Sequence, residues 1–76
     1  MKLKEIFIYN LKYYRKKEKV SQEKLAELTG LHQTYISDIE RGIRNPSLKT
    51  IEKISIGLHI EAYKLFINNI ENIGDK

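Results

Sequence analysis

The chain has no cysteine in its 76 residues, one proline, four glycines and two histidines. Without cysteine there are no disulfides, and zinc fingers and thiolate catalysis are excluded. That absence fits a reducing cytosol. His32 and His59 are too few to suggest a metal site by themselves. No stretch approaches the roughly 20 apolar residues of a membrane span. The opening MKLKEIFIYNLK is not a convincing signal peptide. Its apolar run is short, Glu5 and Asn10 border it, and no small-residue cleavage site follows. A soluble, cytoplasmic protein is expected, with no membrane contact. There is no glycine-rich phosphate loop and no supported Ser/His/Asp arrangement. Glu23 and Glu27 stand four apart, which is ordinary spacing on a polar helix face. No enzyme is expected, so there are no catalytic residues, no metal and no cofactor. Internal repeats and low-complexity linkers are also lacking.

What is present is one short domain, residues 1–76, with a small core and little stability to spare. That length leaves no room for a separate ligand domain, and no small-molecule ligand is evident. The formal charge is +4, unevenly spread. Residues 1–20 carry seven Lys/Arg against two Glu, residues 21–60 five of each sign, and residues 61–76 two Lys against three acids. A basic end beside a neutral middle suggests contact with a polyanion. From charge alone, a merely solvated helix face fits as well.

The stretch that organises the chain is QEKLAELTGLHQTYISDIERG, Gln22 to Gly42. It reads as two short helices joined by a tight turn. The first runs from Gln22 to about Thr29, with Leu25, Ala26 and Leu28 apolar. Gly30 is a natural helix stop because it adopts positive φ readily. The second runs from about Gln33 to Arg41, with Ile36 and Ile39 on its inner face. Small Ala26 lets the helices approach, and the later isoleucines fill the angle between them. That is the spacing of a helix-turn-helix over residues 22–41. Apolar spacing alone also fits any helical hairpin with an amphipathic core.

Around this unit, helix 1 is expected from about Lys2 to Lys17, with Ile6, Phe7, Leu11 and Tyr14 as its inner stripe. Ile8 and Tyr13 lie off that stripe. Ser21 is placed to cap helix 2, and Glu23 favours its dipole. Asn45 and Pro46 punctuate a loop, after which Ser47 caps helix 4, Leu48 to about Gly57. Leu48, Ile51 and Ile54 are its expected core face, closed by Leu58 and Ile60. A fifth helix is expected over residues 61–73, with Tyr63, Phe66, Ile67, Ile70 and Ile73 as its stripe. Ile67, Ile70 and Ile73 exceed what so small a core requires, and such a surplus usually marks a contact surface. A homodimer through Tyr63, Phe66, Ile67 and Ile70 is therefore expected. The alternative is that helix 5 simply folds back further.

The ordered string Ser21, Gln22, Leu25, Ala26, Gly30, Ile36, Ser37, Ile39, Glu40, Gly42, Pro46 and Ser47 resembles the Xre family, the lambda-repressor-like helix-turn-helix regulators. The likeness runs from helix 1 to about Phe66, where Leu65 and Phe66 match a closing L-F that packs on the core. It implies an all-α, five-helix DNA-binding domain whose helices 2 and 3 form the helix-turn-helix. It also implies a transcriptional regulator that binds a palindromic double-stranded operator as a homodimer. By analogy with the family, Gln33, Thr34 and Ser37 read bases, and His32 faces DNA at the same corner. Gln22, Tyr35, Arg44, Asn45, Ser47 and Lys49 meet the sugar-phosphate backbone. Asp38 restrains the cations around it, and Arg15 pairs with Glu40 to brace the recognition helix. The chain departs from the family where Lys19 and His59 replace customary glycines, and where His32 is a weak cap for helix 3. The short length and the run from His32 to Ser47 look like controller proteins of restriction-modification systems. Phage and mobile-element repressors share that string. The rival reading is an antitoxin that binds a toxin through helix 5 or helix 1 and autoregulates its operon.

Overall fold

A computed structural model of the chain describes residues 2–68. Four α-helices follow one another: α1 Leu3–Lys17, α2 Gln22–Thr29, α3 Gln33–Glu40 and α4 Leu48–Gly57. A five-residue 3-10 turn, Ala62–Phe66, closes the described chain. Among the described residues there is no strand.

Phe7, Leu11, Leu25, Ile36, Ile39, Ile54, Leu58 and Leu65 form one buried cluster to which every element contributes. Ile6 lies beside it, and Tyr14, Ala26, Ile51, Ile60 and Phe66 pack on it half-buried. Leu28, the third apolar residue of α2, is 47% exposed.

The helix ends follow capping chemistry. Ser21 Oγ accepts from the Lys24 N–H at 2.9 Å and Ser47 Oγ from the Thr50 N–H at 3.1 Å. Gly30 stops α2 with φ of 76°, and its N–H donates to the Ala26 carbonyl. At the two positions where the family favours glycine, this chain still takes the left-handed conformation. Lys19 has φ of 58° and His59 φ of 59°. In both turns the next N–H reaches back to complete the stop, Val20 to the Arg15 carbonyl at 2.8 Å and Ile60 to the Ser55 carbonyl at 3.0 Å. Each turn therefore takes the left-handed backbone that glycine adopts most easily, and a side chain sits where it is sterically disfavoured.

Two expectations need correction. The first is the fifth helix. Its described part is only the 3-10 turn, and the backbone is extended at Ile67, with φ of −83° and ψ of 126°. The cause lies in α1. Asn10, 2% exposed, donates from Nδ2 to the carbonyl oxygens of Leu65 at 3.0 Å and Ile67 at 2.9 Å. A continuing helix would turn those oxygens toward its own N–H groups. Ile70 and Ile73 lie outside the described residues.

The second concerns α4. Leu48, expected in the core, is 85% exposed. The inner stripe instead runs through Thr50, Ile54, Gly57 and Leu58. Thr50 satisfies its buried hydroxyl with Ser47 and Tyr35, and Ser55 donates to the Glu52 carbonyl at 2.8 Å. A Cβ at Gly57 would lie 3.0 Å from Thr29 Cγ2 and 3.4 Å from Leu25 Cδ1, so α4 lies close on α2. Counting apolar residues misses a stripe made partly of threonine and glycine.

Candidate nucleic-acid interface

The site is built on the first turn of α3. His32 precedes it in extended conformation and makes no side-chain capping bond. His32, Gln33 and Thr34 are all exposed, while Ile36 and Ile39 on the opposite face are fully buried. The helix therefore stands with its polar N-terminal turn outward and its apolar face locked into the core. Ser37, one turn on, is half-buried. Asp38 is also half-buried and lies 3.8 Å from Arg41, a loose pair that keeps one cation near the helix end.

Behind α3 is a charged brace. Arg15 Nε donates to Glu40 Oε2 at 2.8 Å, and Arg15 Nη2 donates to Glu40 Oε1 at 3.0 Å. Arg15 Nη1 also donates to the Val20 carbonyl at 3.1 Å, and Gln22 Nε2 to Glu40 Oε1 at 2.9 Å. The pair thus joins the end of α1, the start of α2 and the end of α3. Paired forks of this kind hold orientation as well as charge. Gln22 was expected at a phosphate, and one proton of its amide nitrogen goes here to Glu40, which leaves the second N–H as a donor. It contributes to the site by fixing α2 against α3.

A second linked set ties α3 to the following loop. The Tyr35 hydroxyl lies 3.1 Å from Thr50 Oγ1, and Ser47 Oγ donates to that same oxygen at 3.0 Å. The Arg44 guanidinium sits over the Tyr35 ring, 4.9 Å from its centroid. This is a cation–π distance. Where Thr50 donates onward to Tyr35, the phenolic proton is left for an acceptor outside the protein. Ser47 directs its hydroxyl inward. Arg44, Asn45 and Lys49 are exposed beside it. Thr50, the hub of this set, is 6% exposed and was not singled out from sequence. Its one legible signal is the Ser47-x-x-Thr50 spacing of a capped first turn.

The expected dimer residues lie elsewhere. Phe66 is half-buried and stacks on Phe7 with centroids 5.4 Å apart. Tyr63 and Ile67 are 62% and 39% exposed. Leu48, Ile51, Tyr63 and Phe66 line one shallow groove that Lys49 and Glu52 also border, so the exposed leucine of α4 joins this surface.

Comparison with known proteins places this architecture. A helix-turn-helix family model matches residues 11–65. Control protein C.SmaI of Serratia marcescens is 43% identical over 65 residues, covering 86% of this chain and 77% of that protein. Control protein C.BamHI of Bacillus amyloliquefaciens is 62% identical over 45 residues, covering 59% of this chain and 56% of that protein. The crystal structure of the restriction-modification controller protein C.AhdI from Aeromonas hydrophila superposes with a TM-score of 0.78 at 43% identity, covering 80% of this chain and 92% of that one. From its four-helix architecture and these matches, the chain belongs to the helix-turn-helix family in its Xre, lambda-repressor-like form.

Proposed function

We propose that the protein is a sequence-specific DNA-binding transcriptional regulator that acts as a homodimer on a palindromic operator, as the controller of a restriction-modification system. The observation that carries this reading is the exposed turn His32-Gln33-Thr34 on a recognition helix braced through Glu40. In this reading Gln33, Thr34 and Ser37 meet base edges in the major groove, with His32 at its margin. Gln22, Tyr35, Arg44, Asn45, Ser47 and Lys49 line the phosphate-facing flank, Gln22 and Ser47 through the backbone of the helix starts that they hold. Similarity to control proteins supports the restriction-modification assignment. The exposed Leu48, Tyr63 and Ile67 support a two-fold contact beside the flank that Lys49 borders. A regulator of this kind carries out no catalysis.

The test is footprinting on the DNA upstream of the protein's own gene. The expected result is a symmetric footprint whose half-sites lie about 34–36 Å apart, one helical turn. Failure to protect that DNA would count against this reading, and co-purification of a second protein, with or without protection, would instead favour an antitoxin.

A further inference from the structure

Asn10 is a buried polar side chain that the DNA-facing surface does not use. It lies on the inner face of α1, 2% exposed. Its Nδ2 donates to the carbonyls of Leu65 and Ile67, at 3.0 and 2.9 Å. The two protons of that nitrogen therefore go to one short piece of backbone. One turn earlier on α1, the Phe7 ring stacks on Phe66. The two acceptors flank Phe66, so α1 grips residues 65–67 through two carbonyls and the ring between them. The gripped piece ends on Ile67 and follows Tyr63 by two residues, and both are exposed apolar residues, of the exit and of the 3-10 turn itself.

An apolar residue at position 10 would fill the same core volume. What the amide adds is direction, because it fixes the plane of a backbone that has left helical geometry at Ile67. We propose that Asn10 is a positioning residue for self-association, holding residues 65–67 so that Tyr63 and Ile67 meet a second copy of this chain. This rests on the homodimer reading above. A contact surface fixed before association avoids the ordering cost that a loose one meets on binding.

The experiment compares the whole chain with Asn10→Asp and Asn10→Leu. Asn10→Asp keeps the shape, removes the donors and sets carboxylate oxygens against two carbonyls. Asn10→Leu leaves the carbonyls without a donor and adds no charge. Dimer dissociation is read by sedimentation equilibrium, at a temperature where circular dichroism shows each variant fully folded. The expected result is a dissociation constant raised about tenfold or more in both, the scale of one buried hydrogen bond. In the monomer, amide NMR shifts of residues 63–68 should move while those of α2 and α3 stay. Folded variants with an unchanged dissociation constant would overturn the proposal and leave the homodimer standing. A wild-type chain that is monomeric at every concentration would remove both. Loss of fold in both variants also overturns it, since Asn10 would then hold the whole domain instead of one surface.

Discussion

Arg15 and Glu40, 25 residues apart, meet fork to fork, with the carboxylate side chain only 3% exposed and the guanidinium side chain 14%. The pair also takes in Gln22, so one contact fixes three helices behind the exposed first turn of α3. Removing one partner strands the other in a poorly solvated place. Glu40→Ala should cost about 3–5 kcal/mol of unfolding free energy, and Arg15→Ala a similar amount. The double variant should cost less than the sum of the two single variants, because neither charge is then left alone. Urea denaturation measures all three. Single-variant costs below about 1 kcal/mol would mean that the pair behaves like an exposed surface bridge.

Lys19 and His59 hold left-handed backbone without being glycine. The conformation costs an L-residue about 1–2 kcal/mol, partly offset by the greater unfolded-state freedom of glycine. Lys19→Gly and His59→Gly should each stabilise the protein by about 0.5–1 kcal/mol. The sites lie at the ends of different helices, so the gains should add. Thermal unfolding of the two singles and the double is the measurement. A fall in melting temperature for either single would show that its side chain contributes more than the strain removes.

The surface proposed for self-association should respond to charge. Ile67→Asp and Leu48→Asp place a carboxylate on exposed apolar positions, so the fold should keep its stability within about 0.5 kcal/mol. The dimer dissociation constant should rise, and operator binding should weaken with it. Sedimentation across the micromolar range reads the first, and fluorescence anisotropy on operator DNA the second. If neither variant alters association, this surface is not where two copies meet.

The sequence was legible where chemistry repeats at fixed spacing. Leu25, Ile36 and Ile39 fall on the inner faces of the helix pair, and both serine caps stand at the starts of their helices. The departure at Lys19 was visible too, since lysine stands where the resembling family favours glycine, but the left-handed φ that it takes is seen only in the structure. Three things were not legible. Asn10 looked like a break in an apolar run, since nothing local indicates that its amide will meet carbonyls 55 and 57 residues away. Leu48 looked like core because apolar periodicity does not show that Thr50 and Gly57 will form the inner stripe. The bracing role of Gln22 was hidden because its hydrogen bond to Glu40 exists only once α2 and α3 are packed.

The last prediction separates reading from anchoring. Gln33 and Thr34 stand exposed on the first turn of α3, and Arg44 and Lys49 stand exposed beyond it. A side chain that meets a base edge discriminates between sequences, whereas one that meets a phosphate does not. Gln33→Ala and Thr34→Ala should each weaken operator binding by about 1–3 kcal/mol and binding to random DNA by much less. Arg44→Ala and Lys49→Ala should weaken both DNAs alike and lower the salt slope by about one counterion for each phosphate left unneutralised. Arg44→Ala also removes the cation from the Tyr35 ring, so it should disturb Tyr35 where Lys49→Ala does not. Anisotropy titrations on both DNAs at several salt concentrations place each variant on a plot of specific against non-specific affinity. Reading variants should fall off the diagonal and anchoring variants along it. If Gln33→Ala moves along the diagonal with Lys49→Ala, the first turn of α3 is not the reader. If no variant moves at all, the exposed turn serves a protein partner instead of DNA.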